Sequence, residues 1–225
     1  MTLNDYYAAV RPFYSAEMAL RSDVAEWVAL GRRLGARSVL DLGCGAARIG
    51  RALKADDPSR SVVGVDLLDV LLDGPPAVPF VRGDMRALPF VPRFDLIAAA
   101  NDPFAHLLAD GDRACALDEA RRLLTPGGTL VIDGLWVDED GDFERRRALP
   151  DGTDLTESWR ACGDHVYETR YTYRRADAVL AEAATRVRAW TLDELGDGMR
   201  AAGSLDGRAF DGSVDRLVIF AGGAT

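Results

Sequence analysis

The sequence of 225 residues, 48% of them hydrophobic, is long enough for one globular domain with a full core and too apolar for a disordered chain. A net charge of −9 disfavours a nucleic-acid partner, because phosphate backbones repel an acidic chain. No apolar stretch approaches the ~20 residues of a membrane span, and the polar, aromatic N-terminus lacks the layout of a secretory signal, so the expected location is cytoplasmic.

The N-terminal region predicts helices. Residues 5–34 carry apolar side chains at near-helical spacing, and Gly35 is typical of a helix end. Pro12 predicts a break, so we expect two short helices. An aromatic cluster falls in the same region and comprises Tyr6, Tyr7, Phe13 and Tyr14. Two uses of this cluster stay open: packing of a helix on the domain, or a lid over a ligand.

Alternating strands and helices follow this region. Apolar runs predict strands at 38–42, 61–66, 79–82, 94–100 and 129–133. Helices are predicted between them at 46–55, 70–72 and 105–124, and Pro126-Gly127-Gly128 predicts a sharp turn before the fifth strand. Continuous apolar strands separated by helices indicate a parallel sheet that is covered on both faces.

The pattern changes after the fifth strand. Residues 138–152 are charged and contain glycine and proline, which predicts a loop. Runs at 155–159, 165–173 and 179–190 predict an antiparallel meander, in which one face carries Tyr167, Thr169, Tyr171 and Tyr173. A helix is predicted at 191–202, with Thr191 and Glu194 as its capping box, before a last strand at 217–221.

A glycine turn joins the first strand to the next helix, within the stretch VLDLGCGAARIG at 39–50. A dinucleotide fingerprint would have a glycine or alanine at Arg48, and a phosphate-binding loop would end in Gly-Lys-Ser/Thr. The turn has neither feature. Gly43 and Gly45 therefore predict a close approach of the backbone to a ligand, without an obvious phosphate cradle.

Carboxylates accompany the predicted strands around this turn. Asp41 precedes the turn, and Asp84 follows the third strand. Asp66 ends the second strand about twenty residues after Gly45, which is the spacing at which an acid meets ribose hydroxyls. Three acids at this edge would repel a pyrophosphate and favour a nucleoside that carries positive charge, such as a sulfonium.

Five segments occur in the order and spacing of class I S-adenosylmethionine-dependent methyltransferases: VLDLGCGAARIG, VVGVDLLDVL, VRGDMRALPF, FDLIAAANDPFAHL and LLTPGGTLVID. The chain resembles this family over residues 37–135, and its later insert resembles that of bacterial small-molecule N- and O-methyltransferases. The resemblance implies an α/β fold, with a Rossmann-like, doubly wound, seven-stranded, mostly parallel sheet and an antiparallel β insert near the C-terminus. The final strand would lie antiparallel between the fifth and sixth.

The resemblance also implies which residues bind S-adenosylmethionine. The glycine turn would pass under the methionine, and Asp66 would hold the ribose. Leu67 and Met85 would flank the adenine, with Asp84 near its exocyclic amine. The candidate cofactor-binding residues are Asp41, Gly43, Cys44, Gly45, Asp66, Leu67, Asp84, Met85 and Asn101. The segment Asn101-Asp102-Pro103-Phe104 departs from the Asp-Pro-Pro-Tyr-like motif of amide methylation, which argues against DNA or protein-glutamine acceptors.

Two residues are candidates for a catalytic role. His106 begins the helix after the fourth strand, where an unperturbed pKa near ~6.5 would suit a general base; the alternative is a partly exposed helix-start residue. Tyr14 is the second candidate, as part of the proposed lid, and His165 in the meander is a weaker one. We expect no metal site, because no pair among Cys44, Cys115 and Cys162 has the spacing of a metal motif.

The expected organisation has four parts: an N-terminal helical lid at 1–36, an S-adenosylmethionine-binding core at 37–136, an antiparallel β insert at 137–190 as substrate cap or interface, and a helix and strand at 191–225 that complete the core. The expected function is methyl transfer to a nitrogen or oxygen of a small molecule, by a monomer or homodimer, with no nucleic-acid or membrane partner. The alternative is an S-adenosylmethionine-binding sensor or partner subunit without methyl transfer. Arg48 and the absence of a Tyr-x-x-x-Lys pair disfavour an NAD-dependent reductase.

Overall fold

The computed structural model describes residues 1–21, 23–72, 78–91, 93–136 and 141–190, together with the strands at 206–210 and 214–222. The helix predicted at 191–202, with Thr191 and Glu194, lies outside the described residues, as does the acidic stretch at 138–140. Among the helices of the described part, none has the length and apolar character needed to cross a bilayer.

The elements of the described part follow one another from an N-terminal helical region into strands and helices. The helices are α1 (Leu3–Ala19), α2 (Val24–Arg33), α3 (Arg48–Asp56) and α4 (Asp110–Leu123). The strands are β1 (Ser38–Leu42), β2 (Ser61–Asp66), β3 (Phe80–Arg82), β4 (Phe94–Ala99), β5 (Leu124–Trp136), β6 (Phe143–Ala148), β7 (Asp154–Ala161), β8 (Val166–Arg175), β9 (Ala178–Arg188), β10 (Asp206–Phe210) and β11 (Val214–Gly222).

The central sheet has the strand order β10-β11-β5-β4-β1-β2-β3. Strands β1 to β5 are parallel, and β11 lies antiparallel between β5 and β10, as the resemblance implied. The predicted Rossmann-like α/β fold is therefore confirmed, with five strands in its parallel part. Because parallel strands end at the same edge of a sheet, the residues that follow β1, β2, β3 and β4 meet at one crevice.

Helices cover both faces of this sheet, which explains the continuous apolar character of its strands. Trp27 of α2 and Leu53 of α3 pack with Val39 on one face. Ala120 of α4 packs with Leu40 on the other face. Val39 and Leu40 are neighbours in β1, and successive side chains of a strand point to opposite faces.

Two helix predictions need correction. The segment at 70–72, predicted as a short helix, is a turn. The helix predicted from residue 105 is divided into a 3₁₀ turn at Pro103–His106 and the helix α4, which begins at Asp110. Pro103 fixes its own φ and lacks an N–H, so it suits the first turn of a short helix. The backbone becomes extended at Leu107, which separates this turn from α4.

The break predicted at Pro12 was wrong, because Pro12 lies inside the single helix α1. Proline in a helix interior removes one backbone hydrogen bond and kinks the helix. Burial offsets this cost, since Val10 and Phe13, on either side of Pro12, pack with Tyr173 of β8. The Phe13 and Tyr173 rings are stacked, with centroids 4.1 Å apart. The helical region divides after Ala19 instead.

The start of β5 also differs from the prediction of a turn followed by a strand at 129–133. Strand β5 begins at Leu124, directly after α4, and its pairing with β4 changes register between Phe94 and Leu96. A Cβ on Gly128 would lie 2.7 Å from the carbonyl oxygen of Phe94. The glycine therefore allows the two strands to approach closely at this irregularity.

A second, separate sheet is antiparallel and has the order β6-β7-β8-β9. The antiparallel meander is confirmed, but the loop predicted at 138–152 was partly wrong, because β6 occupies Phe143–Ala148. The sequence pattern did not predict this strand, because most of its residues are charged. Arg145 and Arg147 point inward and both donate to Glu157 of β7, which is 1% exposed. Two of the three inward side chains are thus paired ions, and only Phe143 is the apolar residue that signals a half-buried strand.

The buried ion group on β6 and β7 leads to a stability prediction. We expect Glu157→Gln to lower the free energy of unfolding by about 3 kcal/mol, because it leaves two inward guanidinium groups without their carboxylate. Urea unfolding followed by circular dichroism measures the change. Glu168→Gln is the matched control, since Glu168 on β8 pairs with exposed arginines and its loss should change little. Equal effects of the two substitutions would contradict this account of β6.

Candidate active site

The turn after β1 is shaped by two glycines in the left-handed region, Gly43 with φ of +65° and Gly45 with φ of +51°. A Cβ on Gly43 would lie 2.2 Å from Pro103 Cβ, and a Cβ on Gly45 would lie 3.1 Å from the hydroxyl of Tyr14. Both space and backbone conformation therefore require glycine at these positions. The turn contacts the residues after β4 on one side and α1 on the other.

Asp66, at the end of β2, fixes this turn. Its Oδ2 accepts the backbone N–H of Gly45 at 2.8 Å, and its Oδ1 accepts that of Leu68 at 3.0 Å. Burial raises the pKa of the Asp66 carboxyl, and these backbone hydrogen bonds offset part of the shift. The carboxylate consequently lies against the turn, at the position predicted from its spacing to Gly45.

Asp41 and Cys44 lie beneath the turn. Asp41 is 2% exposed, and its Oδ2 accepts the backbone N–H of Gly50 in α3 at 2.8 Å. Burial raises its pKa to about 7. The Cys44 thiol packs over Gly64, where a Cβ would come within 2.8 Å of the sulfur, and burial also raises its pKa. Both side chains are positioned to hold the strand and helix that flank the turn.

The next strand ends contribute one apolar and one acidic surface. Leu67 is 47% exposed just after β2, at the edge of the sheet where the crevice lies. Met85 is half-buried and packs against the core after β3. Asp84 is paired with Arg86, 2.6 Å from Nη2 to Oδ2, and this guanidinium lowers the pKa of the Asp84 carboxyl.

The segment after β4 is held by a residue that sequence reasoning missed, Arg21. Asn101 has a left-handed backbone (φ 60°), and its Oδ1 accepts from Arg21 Nη1 at 2.6 Å. Asp133, in β5, accepts from both Arg21 Nη2 at 2.7 Å and the backbone N–H of Asn101 at 3.1 Å. The only sequence signal for Arg21 is its helical spacing from Tyr14 and Glu17, seven and four residues earlier.

A cavity of about 190 Å³ lies between α1, the ends of β4 and β5, and the inner face of the second sheet. It brings together three residues predicted from sequence, Tyr14, Asn101 and His106. The cavity also includes residues that were not predicted as site residues, among them Glu17, Arg21, Asp102, Asp133, Glu157 and Tyr171. Of the meander tyrosines, Tyr171 lines this cavity, Tyr173 packs against α1, and Tyr167 packs in a separate cluster with Trp159. His165 is not part of the cavity wall.

His106 is less basic than the sequence suggested. Its Nε2 lies 2.9 Å from the hydroxyl of Tyr7 in α1, so the two share a hydrogen bond. Burial lowers the pKa of His106 to about 4, and the backbone of Arg186 offsets only part of that effect. The imidazole is therefore neutral near pH 7, and the expectation of an unperturbed pKa near ~6.5 is corrected.

Tyr14 lies between the glycine turn and the cavity. Burial raises its pKa to about 12, against the opposing effect of Arg48. The hydroxyl is consequently protonated near pH 7 and able to donate a hydrogen bond. Arg48, at the start of α3, is held in turn by Asp23, with 2.9 Å from Nη2 to Oδ2.

Asp102, in the cavity wall, connects the segment after β4 to β5 and to Trp190. Its Oδ2 accepts the backbone N–H of Leu135 at 2.6 Å and the indole N–H of Trp190 at 3.0 Å. Its Oδ1 is buried and has no partner among the described residues. Burial raises the pKa of Asp102 to about 7, and Arg113 opposes that shift.

Glu17 is the acidic residue of α1 that faces the second sheet. It is 7% exposed, and its Oε1 accepts the hydroxyl of Tyr173 at 2.6 Å. Burial raises the pKa of Glu17 to about 7, although the hydrogen bond from Tyr173 acts in the opposite direction. In the described part of the chain, no group of three or more histidine, cysteine or acidic side chains is arranged to hold a metal ion.

Comparison with known families gives a match to the part of the chain that forms the crevice. Residues 39–128 match a family model described as a methyltransferase domain. The chain contains a methyltransferase domain. The matched part of this domain runs from β1 through the glycine turn to Gly128 in β5, and it includes Asp66, Asp84 and Asn101.

Two curated relatives resemble parts of the chain that include this methyltransferase domain. One is the 37.1 kDa protein of transposon TN4556 from Streptomyces fradiae, 37% identical over 124 residues, which are 49% of this chain and 35% of that protein. The other is the cypemycin N-terminal methyltransferase of a Streptomyces species, 32% identical over 139 residues, which are 58% of this chain and 54% of that enzyme. The chain thus spans between a third and about half the length of these relatives.

The fold of the whole chain, beyond the methyltransferase domain, is shared with solved structures. One is S-adenosylmethionine-bound CalS10, an amino pentose methyltransferase from Micromonospora echinaspora involved in calicheamicin biosynthesis. The similarity has a TM-score of 0.69 at 20% identity and covers 97% of this chain and 98% of that one. The second sheet is therefore part of the shared fold.

The buried environment of His106 leads to a prediction about the pH at which its imidazole is protonated. We expect its imidazole to titrate with a midpoint at about pH 4, because the buried ring resists protonation. Nuclear magnetic resonance of ring-labelled protein measures this midpoint. The chain has two histidines, so His165→Gln leaves His106 as the single signal. A midpoint above pH 6 would show that the imidazole is solvated and would contradict its placement beside Tyr7.

Proposed function

We propose that this protein transfers a methyl group from S-adenosylmethionine to a nitrogen or oxygen of a small molecule. The observation that carries the proposal is the contact of Gly45 with Tyr14. Through it, the glycine turn fixed by Asp66 lies beside the cavity formed with α1 and the second sheet. A cradle for a nucleoside and a cavity for an acceptor are then neighbours, as transfer between two bound molecules requires.

The residues at the crevice fit S-adenosylmethionine. Gly43 and Gly45 allow the bare backbone of the turn to approach a ligand, and Asp66 offers a carboxylate to a ribose diol. The exposed Leu67 provides an apolar surface for a base, with Met85 as the proposed second wall and Asp84 near the amine. Asn101 and Arg21 would lie at the methionine end. We assign Asp41 and Cys44 an indirect part, because they support the turn from below.

The chain's contribution to the chemistry is mainly orientation. S-adenosylmethionine, when bound, supplies an already electrophilic methyl group. Holding an acceptor in line with that group is worth about 7–11 kcal/mol at best. An acceptor bound between α1 and the second sheet would displace water from this cavity, and loss of water favours a reaction that neutralises charge.

We propose positioning roles for the two catalytic candidates. Neutral His106 and Tyr7 share a hydrogen bond and form one wall of the cavity. Tyr14 is placed to donate a hydrogen bond toward the glycine turn. In this proposal residues 1–36 cover the ligands, 37–136 bind the cofactor, 137–190 shape the acceptor cavity, and 191–225 complete the core. Similarity to an N-terminal methyltransferase and to an amino pentose methyltransferase supports nitrogen as the acceptor atom.

A binding protein without methyl transfer is the alternative. Such a protein needs the cofactor cradle but has no use for a second enclosed cavity beside it. The cavity lined by Tyr14, Asn101 and His106 therefore favours transfer.

The cradle leads to a binding prediction for Asp66. We expect Asp66→Ala to weaken S-adenosylmethionine binding at least about tenfold. The substitution removes the carboxylate that would accept the ribose hydroxyls, and it removes the hydrogen bond that fixes Gly45. Calorimetric titration measures the affinity. Asp69→Ala, three residues later and exposed, is the matched control and should bind as the unchanged protein does. Unchanged affinity in the Asp66 variant would refute the assignment of the cradle.

The same turn predicts weak binding of dinucleotides. Arg48 occupies the position where a dinucleotide site needs a small residue, and Asp23 holds its side chain in place. We expect NAD to bind at least about tenfold more weakly than S-adenosylmethionine under the same calorimetric conditions. Comparable affinities would reverse the order of the two ligands and favour a reductase.

A further inference from the structure

Glu17 is the acid of the cavity that has room for a ligand. Its Oε1 accepts from Tyr173, and within the described part of the chain its Oε2 receives no hydrogen bond and is not closed off from the cavity. The other acids are engaged differently. Glu157 accepts from two arginines through both oxygens, Asp133 accepts from Arg21 and from the backbone of Asn101, and the free oxygen of Asp102 is enclosed by the protein around it.

A buried carboxylate that faces a cavity requires a partner, because an unpaired charge in a low-dielectric environment is costly. In the described part of the chain, the hydrogen-bond partner of the Glu17 carboxylate is the hydroxyl of Tyr173, which carries no charge, while Arg145 and Arg147 act on it from a longer distance and are paired directly with Glu157. A ligand with a positive charge or a strong N–H donor would complete the pairing.

The aromatic side chains that line the same cavity as Glu17 suit this kind of ligand. Tyr6 and Tyr7 meet edge to face with ring centroids 4.9 Å apart, and Tyr6 and Tyr171 do so at 5.5 Å. All three line the cavity together with Glu17. Tyrosine faces attract ammonium groups, and the attraction increases when the cation is desolvated.

We propose that the methyl acceptor is an amine, that its ammonium form binds to Oε2 of Glu17, and that this carboxylate takes the proton that the nitrogen must lose before attack. The inference rests on the methyl transfer proposed above and names its substrate class. The ammonium gives one proton to Glu17 and becomes a neutral amine. The nitrogen lone pair then forms the bond to the methyl carbon while the bond from that carbon to sulfur breaks. The products are a methylated ammonium and S-adenosylhomocysteine, and Glu17 later releases its proton to solvent.

The charged groups that face Glu17 are compatible with this role. Its pKa is raised to about 7 by burial and by Glu157 of β7, whereas Tyr173 of β8 and Arg147 and Arg145 of β6 lower it. A group that titrates near neutrality exists in both forms at pH 7, which is the condition for an effective proton acceptor.

The first experiment measures binding without the cofactor. Cyclohexylammonium and its neutral isostere cyclohexanol are titrated calorimetrically into the full chain at pH 7.5. We expect the ammonium to bind at least about tenfold more tightly than the alcohol, and Glu17→Gln to remove this preference. The amide still accepts from Tyr173, so folding is preserved. Glu182→Gln, exposed on β9, is the matched control and should keep the preference. No preference in the unchanged protein, or an intact one in Glu17→Gln, overturns the proposal.

The second experiment measures rate against pH with amine acceptors, read as S-adenosylhomocysteine release. With Glu17, kcat/KM should reach a plateau above about pH 7. In Glu17→Gln, kcat/KM should keep rising with pH up to the pKa of the free amine, ~10, because the enzyme must then bind the neutral amine from solution. Tyr173→Phe should move the acid limb to higher pH, since it removes a hydrogen bond that lowers the pKa of Glu17. Identical profiles in the three proteins overturn the role in proton transfer.

These measurements separate failure of this inference from failure of the proposed function. Methyl transfer to cyclohexanol-like alcohols but not to amines would overturn the amine assignment while leaving methyl transfer intact. Absence of S-adenosylmethionine binding would instead refute the proposed function, and the cofactor-free titration would still decide whether Glu17 binds an ammonium group.

Discussion

The close approach of Pro103 and Tyr14 to the glycine turn is the constraint on which the site depends. No side chain fits at Gly43 or Gly45, so the turn contacts the segment after β4 and helix α1 directly through its backbone. Asp66 fixes the turn from the side of β2 through the N–H of Gly45. Three strand ends and the N-terminal helix are therefore held in one arrangement, and a shift of any one would open the crevice.

Helix α1 connects the two halves of the site. Tyr14 contacts the turn, Glu17 contacts the second sheet, and Arg21 follows the helix and binds the segments after β4 and in β5. Tyr14 and Glu17 are three residues apart and share one face of α1, and Arg21 lies just beyond the end of the helix. Helix α1 continues through Pro12 because the packing of Val10 and Phe13 with Tyr173 stabilises it there, and Tyr14 and Glu17 are thereby held on one element.

The sequence predicted the parts of the molecule that depend on local signals. The strands of the parallel sheet, the glycine turn and the proximity of Asp66 to it follow from apolar runs, glycine spacing and chain order. The residues that complete the cavity were not predictable in this way. Glu17 and Arg21 acquire their surroundings from segments more than eighty residues away or from the second sheet. Strand β6 was missed because its inward arginines are neutralised only by Glu157 of the next strand.

Buried acids link the chemistry of the site to the stability of the fold. Burial raises the pKa values of Asp41, Glu17 and Asp102 to about 7. Because the folded chain then holds protons that the unfolded chain releases near pH 4, their contribution to stability is complete at acidic pH and is lost as the pH rises through about 7. Neither Asp41 nor Asp102 has a free oxygen that faces the cavity, so a ligand in the cavity cannot offset the stability that these two groups lose at higher pH. Glu17 differs, because a cation at its free oxygen would stabilise its ionised form and offset the loss.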